Sequence, residues 1–138
     1  MSNEKNLTAS IEINKPVEVV WELWNDPVHI AVWNAPSEEW INEKIENNLT
    51  EGGFFLYVMA KKDGSEKFNF KGTYTEIIKH KRIAYTLDDN RKSLITFTGD
   101  QPVILTETFE PVAHLDLGMQ QEFCQSGLNQ LKAYAERL

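Results

Sequence analysis

The chain has 138 residues, a formal net charge of −7 and 41% hydrophobic residues, enough for one domain that buries about two thirds of the surface its unfolded chain exposes. The acidic balance argues against nucleic acid and anionic membrane surfaces, which need clustered Lys and Arg; the 61–67 segment, KKDGSEK, is too short and too mixed in sign to serve. One cysteine, Cys124, rules out an intramolecular disulfide and predicts a reducing, cytoplasmic setting, and neither a signal peptide nor a membrane span is expected.

The first element is a half-buried strand. Leu7, Ala9, Ile11 and Ile13 alternate with Thr8, Ser10 and Glu12, the two-residue period of a strand with one wet face. The 16–36 segment follows and carries three of the four tryptophans, Trp21, Trp24 and Trp33. Pro16 suits a first helical turn, and Val17, Val20, Trp21 and Trp24 recur at helical spacing. Asp26-Pro27 is a restart signal, an N-cap residue followed by proline at the first helical position. The second helix is short and ends near Trp33, before Asn34-Ala35-Pro36. Each tryptophan can bury roughly 150–250 Å², and Trp21, Trp24 and Trp33 are expected to serve mainly as structure.

From Trp40 onward the chain reads as strands over 39–47, 53–61, 67–78, 82–88, 92–98 and 103–110. Gly52-Gly53, Lys62-Asp63-Gly64, Asp88-Asp89-Asn90 and Gly99-Asp100 punctuate them. The connections are short, so the pairing should be an antiparallel meander, with about seven strands in all. The last element is a long helix over 116–138. Met119, Phe123, Gly127, Leu131, Tyr134 and Leu138 form one row, widened by Cys124, Leu128 and Ala135. Acids early and Lys132 and Arg137 late would suit its dipole. Such a helix is about 35 Å long and a seven-residue strand only about 23 Å, so the helix should cross the sheet diagonally and cover most of one face. The predicted class is α+β, a curved antiparallel sheet gripping a C-terminal helix.

Few residues suggest chemistry. His29, His80 and His114 lie on different elements with no metal-ligand spacing, so neither metal nor cofactor is expected. Cys124 lies inside a helix on its apolar flank and reads as a small buried hydrophobe, not an activated thiol. No nucleophile elbow, phosphate loop or dinucleotide fingerprint is present. The aromatic residues are more informative. Phe55, Tyr57 and Met59 alternate along one strand, Phe68, Phe70 and Tyr74 along the next, and Tyr85, Phe97 and Phe109 follow. Strand parity puts Glu107 on the face of Leu105 and Phe109, where a carboxylate must be paired, hydrated or protonated; a bulge would turn it to solvent instead. Gly127 costs roughly 1 kcal/mol against Ala in mid-helix, which either close helix–sheet packing or spare cavity volume explains.

The pieces VWELWNDPVHIAVWNAP, GGFFLYVMAKKDG, FKGTYTEI, KRIAYTLDD and TETFEP, in this order before a closing helix, resemble the bacterial single-domain members of the family named after the activator of Hsp-ninety ATPase. That family lies in the helix-grip superfamily shared with START domains and the birch pollen allergen. The resemblance covers nearly the whole chain and implies a cavity between concave sheet and terminal helix, a ligand-binding role and no universal catalytic residue. Many relatives carry Gly-Trp where this chain has Phe123-Cys124, and a bulky aliphatic where it has Gly127. The eukaryotic co-chaperone of the family has a separate N-terminal domain for which this chain has no room, so the family name argues little for chaperone contact.

The sequence therefore predicts a cavity lined by Trp33, Phe55, Tyr57, Phe70, Tyr74 and Phe97, with Phe109, Met119, Phe123 and Gly127 closing it and Glu107 as a polar anchor. The leading expectation is non-catalytic binding of a small hydrophobic or aromatic molecule such as a lipid, polyketide or flavonoid-like compound. The alternatives are a cyclase- or hydrolase-type enzyme, in which Glu107 and Tyr74 would converge, and a protein-interaction module, which would have no cavity.

Overall fold

The structure, a computed structural model, describes residues 6–34 and 38–138. The 1–5 segment, together with Ala35 and Pro36 of the expected turn, lies outside the described residues. Seven strands form one antiparallel sheet in the order β1-β7-β6-β5-β4-β3-β2. They are β1 (Leu7–Ile13), β2 (Trp40–Asn47), β3 (Phe54–Lys61), β4 (Lys67–Ile78), β5 (Arg82–Leu87), β6 (Lys92–Gly99) and β7 (Val103–Phe109). β2 to β7 make the meander that the turn spacing predicts. β1 adds beside β7, with Leu7 opposite Phe109 and Ile13 opposite Val103.

Helices α1 (Val17–Asn25) and α2 (Pro27–Trp33) carry the chain from β1 at one edge of the sheet to β2 at the other. Pro16 is the N-cap of α1 and offers no side-chain bond. The cap comes from far away instead: Asp100, in the β6–β7 turn, accepts the Val17 N–H at 2.8 Å. α2 starts as its sequence predicts, with Asp26 accepting the Val28 N–H at 2.9 Å and Pro27 at the first position. Trp33 donates its indole N–H to the Leu23 carbonyl at 2.8 Å, which locks the two helices together. Val20, Trp21, Leu23, Ile30 and Trp33 are buried against Ile13, Ile83, Ile95 and Leu105.

The terminal helix α3 (Leu117–Arg137) departs from expectation in two respects. Its first turn holds no acid; Asp116 caps it, accepting the Met119 N–H at 2.8 Å. More important for the site, its closest approach to the sheet is along β1, and a cavity separates its first half from the inner strands. Its polar side explains why. Gln125 and Lys132 donate to the carbonyls of Ser10 (2.9 Å) and Glu12 (2.7 Å), and Gln121 donates to that of Thr8. These are the outward carbonyls of an edge strand, which native sheets must blunt or cover. The helix is thus tied along the β1 edge. Of its apolar row only Leu128, Leu131 and Ala135 are buried, all in the second half, while Met119 and Phe123 stay half exposed. A gap is left between the inner face of β3 and β4 and the first half of the helix.

Candidate functional site

A cavity of about 480 Å³ lies in that gap, within the range of about 300–1,000 Å³ usual for small-molecule sites. β3 contributes Phe55, Tyr57 and Met59, β4 contributes Phe68, Phe70 and Tyr74, and β5 adds Ile83, Tyr85 and Leu87. Glu107 and Phe109 come from β7, and Met119, Phe123, Cys124, Gly127 and Leu128 from α3. Trp24 and Trp33 close the end beneath the two short helices, their rings 5.3 Å apart.

The wall is built by ring packing. Phe55 is buried at its centre, with ring centroids 5.3 Å from Tyr57, 5.4 Å from Phe70, 5.5 Å from Tyr74 and 4.9 Å from Tyr85. It can lie there because its cross-strand partner is Gly72. A Cβ at Gly72 would stand 2.8 Å from the Phe55 ring, so the glycine is needed for close approach. Gly127 has the opposite surroundings: a Cβ there meets nothing within 4 Å. Of its two explanations, close packing and spare volume, the geometry favours spare volume.

Phe97 is the predicted residue that does not line the cavity. It is buried beneath α1, 5.1 Å from the Trp21 ring and 6.4 Å from Trp24. Ser93, four residues earlier on the same face of β6, does line it. One strand face thus serves two purposes, core under the helices and cavity floor beyond them.

The polar groups converge on Glu107. Its parity holds: it faces inward, shielded from bulk water, and the surface it keeps opens onto the cavity. Cys124 donates its thiol to Oε1 at 3.4 Å and Tyr85 its hydroxyl to Oε2 at 3.5 Å. Burial raises the Glu107 carboxyl above the usual carboxylate range, and the two hydrogen bonds offset only part of that. Burial first, and the neighbouring carboxylate second, push the Tyr85 hydroxyl and the Cys124 thiol up as well. Tyr57 is raised by burial, then by Tyr74 and Glu107. All four groups are therefore held toward their protonated forms.

Tyr74, which the enzyme alternative would bring to Glu107, gives its hydroxyl to Asn47 Oδ1 at 2.5 Å instead. Asn47 in turn donates to the Asn25 carbonyl at 2.8 Å, joining β4, β2 and the end of α1. Tyr85 and Cys124 take the place foreseen for Tyr74. The signal for Tyr85 was its shared parity with Ile83 and Leu87. That for Cys124 was its position one turn before Gly127 and Leu128. Cys124 is thus a polar wall residue as well as a small apolar one. Outside the cavity, Glu22, Asp26 and His29 bring potential metal-ligating atoms within 4.8 Å of one another. Asp26 there caps α2, and His29 Nδ1 is hydrogen-bonded to the Tyr134 hydroxyl at 2.8 Å. Among the described residues, no helix is long and apolar enough to cross a membrane.

Residues 14–136 match the model of the family described as Activator of Hsp90 ATPase homolog 1-like protein. An AHSA1-like protein from Aeromonas hydrophila, solved by NMR, is similar at 36% identity over 95% of this chain and 93% of its own, with a TM-score of 0.86. A protein from Cytophaga hutchinsonii is also 36% identical, over 96% of this chain and 93% of its own, with a TM-score of 0.85. The crystal structure of a protein from Chromobacterium violaceum shares the fold at 23% identity, with a TM-score of 0.83 and coverage of 94% and 96%. No curated protein matches the chain. With the family model matching nearly its whole length and two solved structures above a third identity, the chain belongs to the Activator of Hsp90 ATPase homolog 1-like family.

Proposed function

We propose that the protein is a cytoplasmic binding protein that holds a small hydrophobic or aromatic molecule, without catalysis, in the cavity between the inner sheet face and the first half of α3. One observation carries this reading: about 480 Å³ of space walled mainly by aromatic and aliphatic side chains, with Glu107, Tyr85 and Cys124 meeting on one side of it. Apolar walls with a few convergent polar groups are the usual character of a ligand site. Met119 and Phe123, half exposed beside the gap, fit an entrance for an apolar guest. Binding of N-phenylnaphthylamine, an uncharged fluorophore, tests it, together with native mass spectrometry of freshly purified protein for a co-purified molecule. Saturable uptake at one site is expected. Absence of both uptake and a co-purified molecule would refute the proposal.

A second reading, an enzyme of cyclase or hydrolase type, draws on the meeting of Glu107, Tyr85 and Cys124. An acid kept protonated by burial can donate a proton to a bound carbonyl. The test is turnover that falls in Glu107→Gln while probe binding persists. An interaction module fits less well, because it needs no cavity.

A further inference from the structure

Among the described residues, the carboxyl group of the cavity has no positive partner. Glu107 presents its carboxyl to the space, with Cys124 and Tyr85 as its hydrogen-bond donors. The Tyr85 contact, at 3.5 Å, is longer than an ordinary O–H···O bond, and an ionised carboxylate offers about four acceptor sites. Acceptor capacity therefore remains on the cavity side. Its cross-strand partners, Ala9 and Ile95, are apolar. Among the described lining residues Arg91 is the sole Lys, Arg or His, and it is already engaged, 2.7 Å from Asp89 and 3.4 Å from the Glu110 carbonyl. A buried carboxylate must take up a proton or find a cation, since leaving it bare costs several kcal/mol in a low-dielectric site.

From this we infer that the cavity selects an apolar, aromatic amine, whose ammonium group pairs with Glu107 while its rings lie among Phe55, Tyr57, Phe70 and Tyr85. The inference rests on the ligand-binding reading above and adds the charge and chemical class of the guest. Three features support it. The four rings pack at centroid distances of 4.9 to 6.4 Å, and aromatic faces attract a desolvated cation. A carboxylate guest would bring like charges together, with both Glu107 and Glu110 in the lining. The net charge of −7 draws cations toward the molecule and repels anions.

Titration calorimetry with three probes on one frame provides the test: naphthalenylmethylamine, naphthalenemethanol and naphthoate. On the wild-type protein near neutral pH the amine should bind at least about tenfold more tightly than the alcohol, and the naphthoate most weakly. Glu107→Gln should weaken the amine about tenfold or more, near 1.4 kcal/mol, and so narrow its preference over the alcohol. If the alcohol matches the amine on the wild-type protein, or the amine keeps its affinity in Glu107→Gln, charge pairing is overturned and apolar binding stands. If no probe binds, this inference falls, and N-phenylnaphthylamine uptake and the co-purified molecule decide whether the ligand-binding reading falls with it. The wild-type ranking decides the matter even if the variant does not fold.

Discussion

Gly127 offers the most direct test of whether the space beneath α3 is used. Its Cβ would enter open space, so Gly127→Ala and Gly127→Leu should fold. Each should gain up to about 1 kcal/mol from helix propensity alone. A leucine side chain places four carbons where an apolar guest would sit. At about 0.8 kcal/mol per buried methylene, displacing an equal number of guest carbons costs roughly 3 kcal/mol, or about a hundredfold in affinity. Alanine displaces one carbon and should weaken binding only about fourfold. Fluorescence titration with N-phenylnaphthylamine, alongside thermal melts, reads both effects: stability level or rising across Gly, Ala and Leu, affinity falling in steps. A leucine variant that melts no lower than wild type and binds the probe equally well would refute the claim that a guest lies under this helix turn.

Trp24→Ala should lower the melting temperature clearly. The ring stacks on Trp33 and meets Phe97 edge-on, but it is only partly buried, so the loss should lie near the low end of the roughly 3–5 kcal/mol seen for core aromatics. An unchanged melting point with abolished probe binding would sink the structural reading of that residue. The pH dependence of stability should carry the mark of Glu107. Burial raises its folded pKa, so the folded state keeps its proton after the unfolded chain has released one. That contribution is full below the unfolded value and is lost as pH rises through the folded one. Glu107→Gln has no such loss, so its melting temperature minus that of wild type should climb as pH rises from the ordinary carboxylate range toward neutrality. A constant difference would contradict this. The groups near it, Tyr57, Tyr85 and Cys124, are raised and stay protonated across that range. Cys124, held as a thiol by burial and by Glu107, should react with iodoacetamide far more slowly in the folded protein than in urea; equal rates would argue against its placement in the wall.

Local patterns made most of the fold legible. The alternation from Leu7 to Ile13, the Asp26-Pro27 restart and the evenly spaced turns are written in neighbouring residues, and the elements follow them closely. The inward parity of Glu107 was readable for the same reason, because Leu105 and Phe109 flank it at two-residue spacing. What a sequence does not state is distance between elements. The helical period gives the apolar row of α3 but not how far it stands off the sheet. That distance depends on Gln121, Gln125 and Lys132 finding the β1 carbonyls. Phe97 has the parity of a cavity residue, yet whether a ring on that face meets a helix or open space depends on where α1 crosses β6. Likewise the hydroxyl of Tyr74 turned to Asn47 because β2 brings an acceptor within reach, a pairing 27 residues away that no local rule contains.

The pairing of β1 with β7 has a consequence for how the chain is made. Strands β2 to β7 each find their partner a short turn away and can close as they leave the ribosome, but Leu7 must wait for Phe109. Closing a loop of that length costs roughly 4 kcal/mol in chain entropy, and contacts so distant in sequence slow folding. β1 is therefore expected to be the last strand of this sheet to pair. Until α3 arrives to cover it, the growing sheet holds an unfinished edge, the state in which a nascent chain is most exposed to wrong partners.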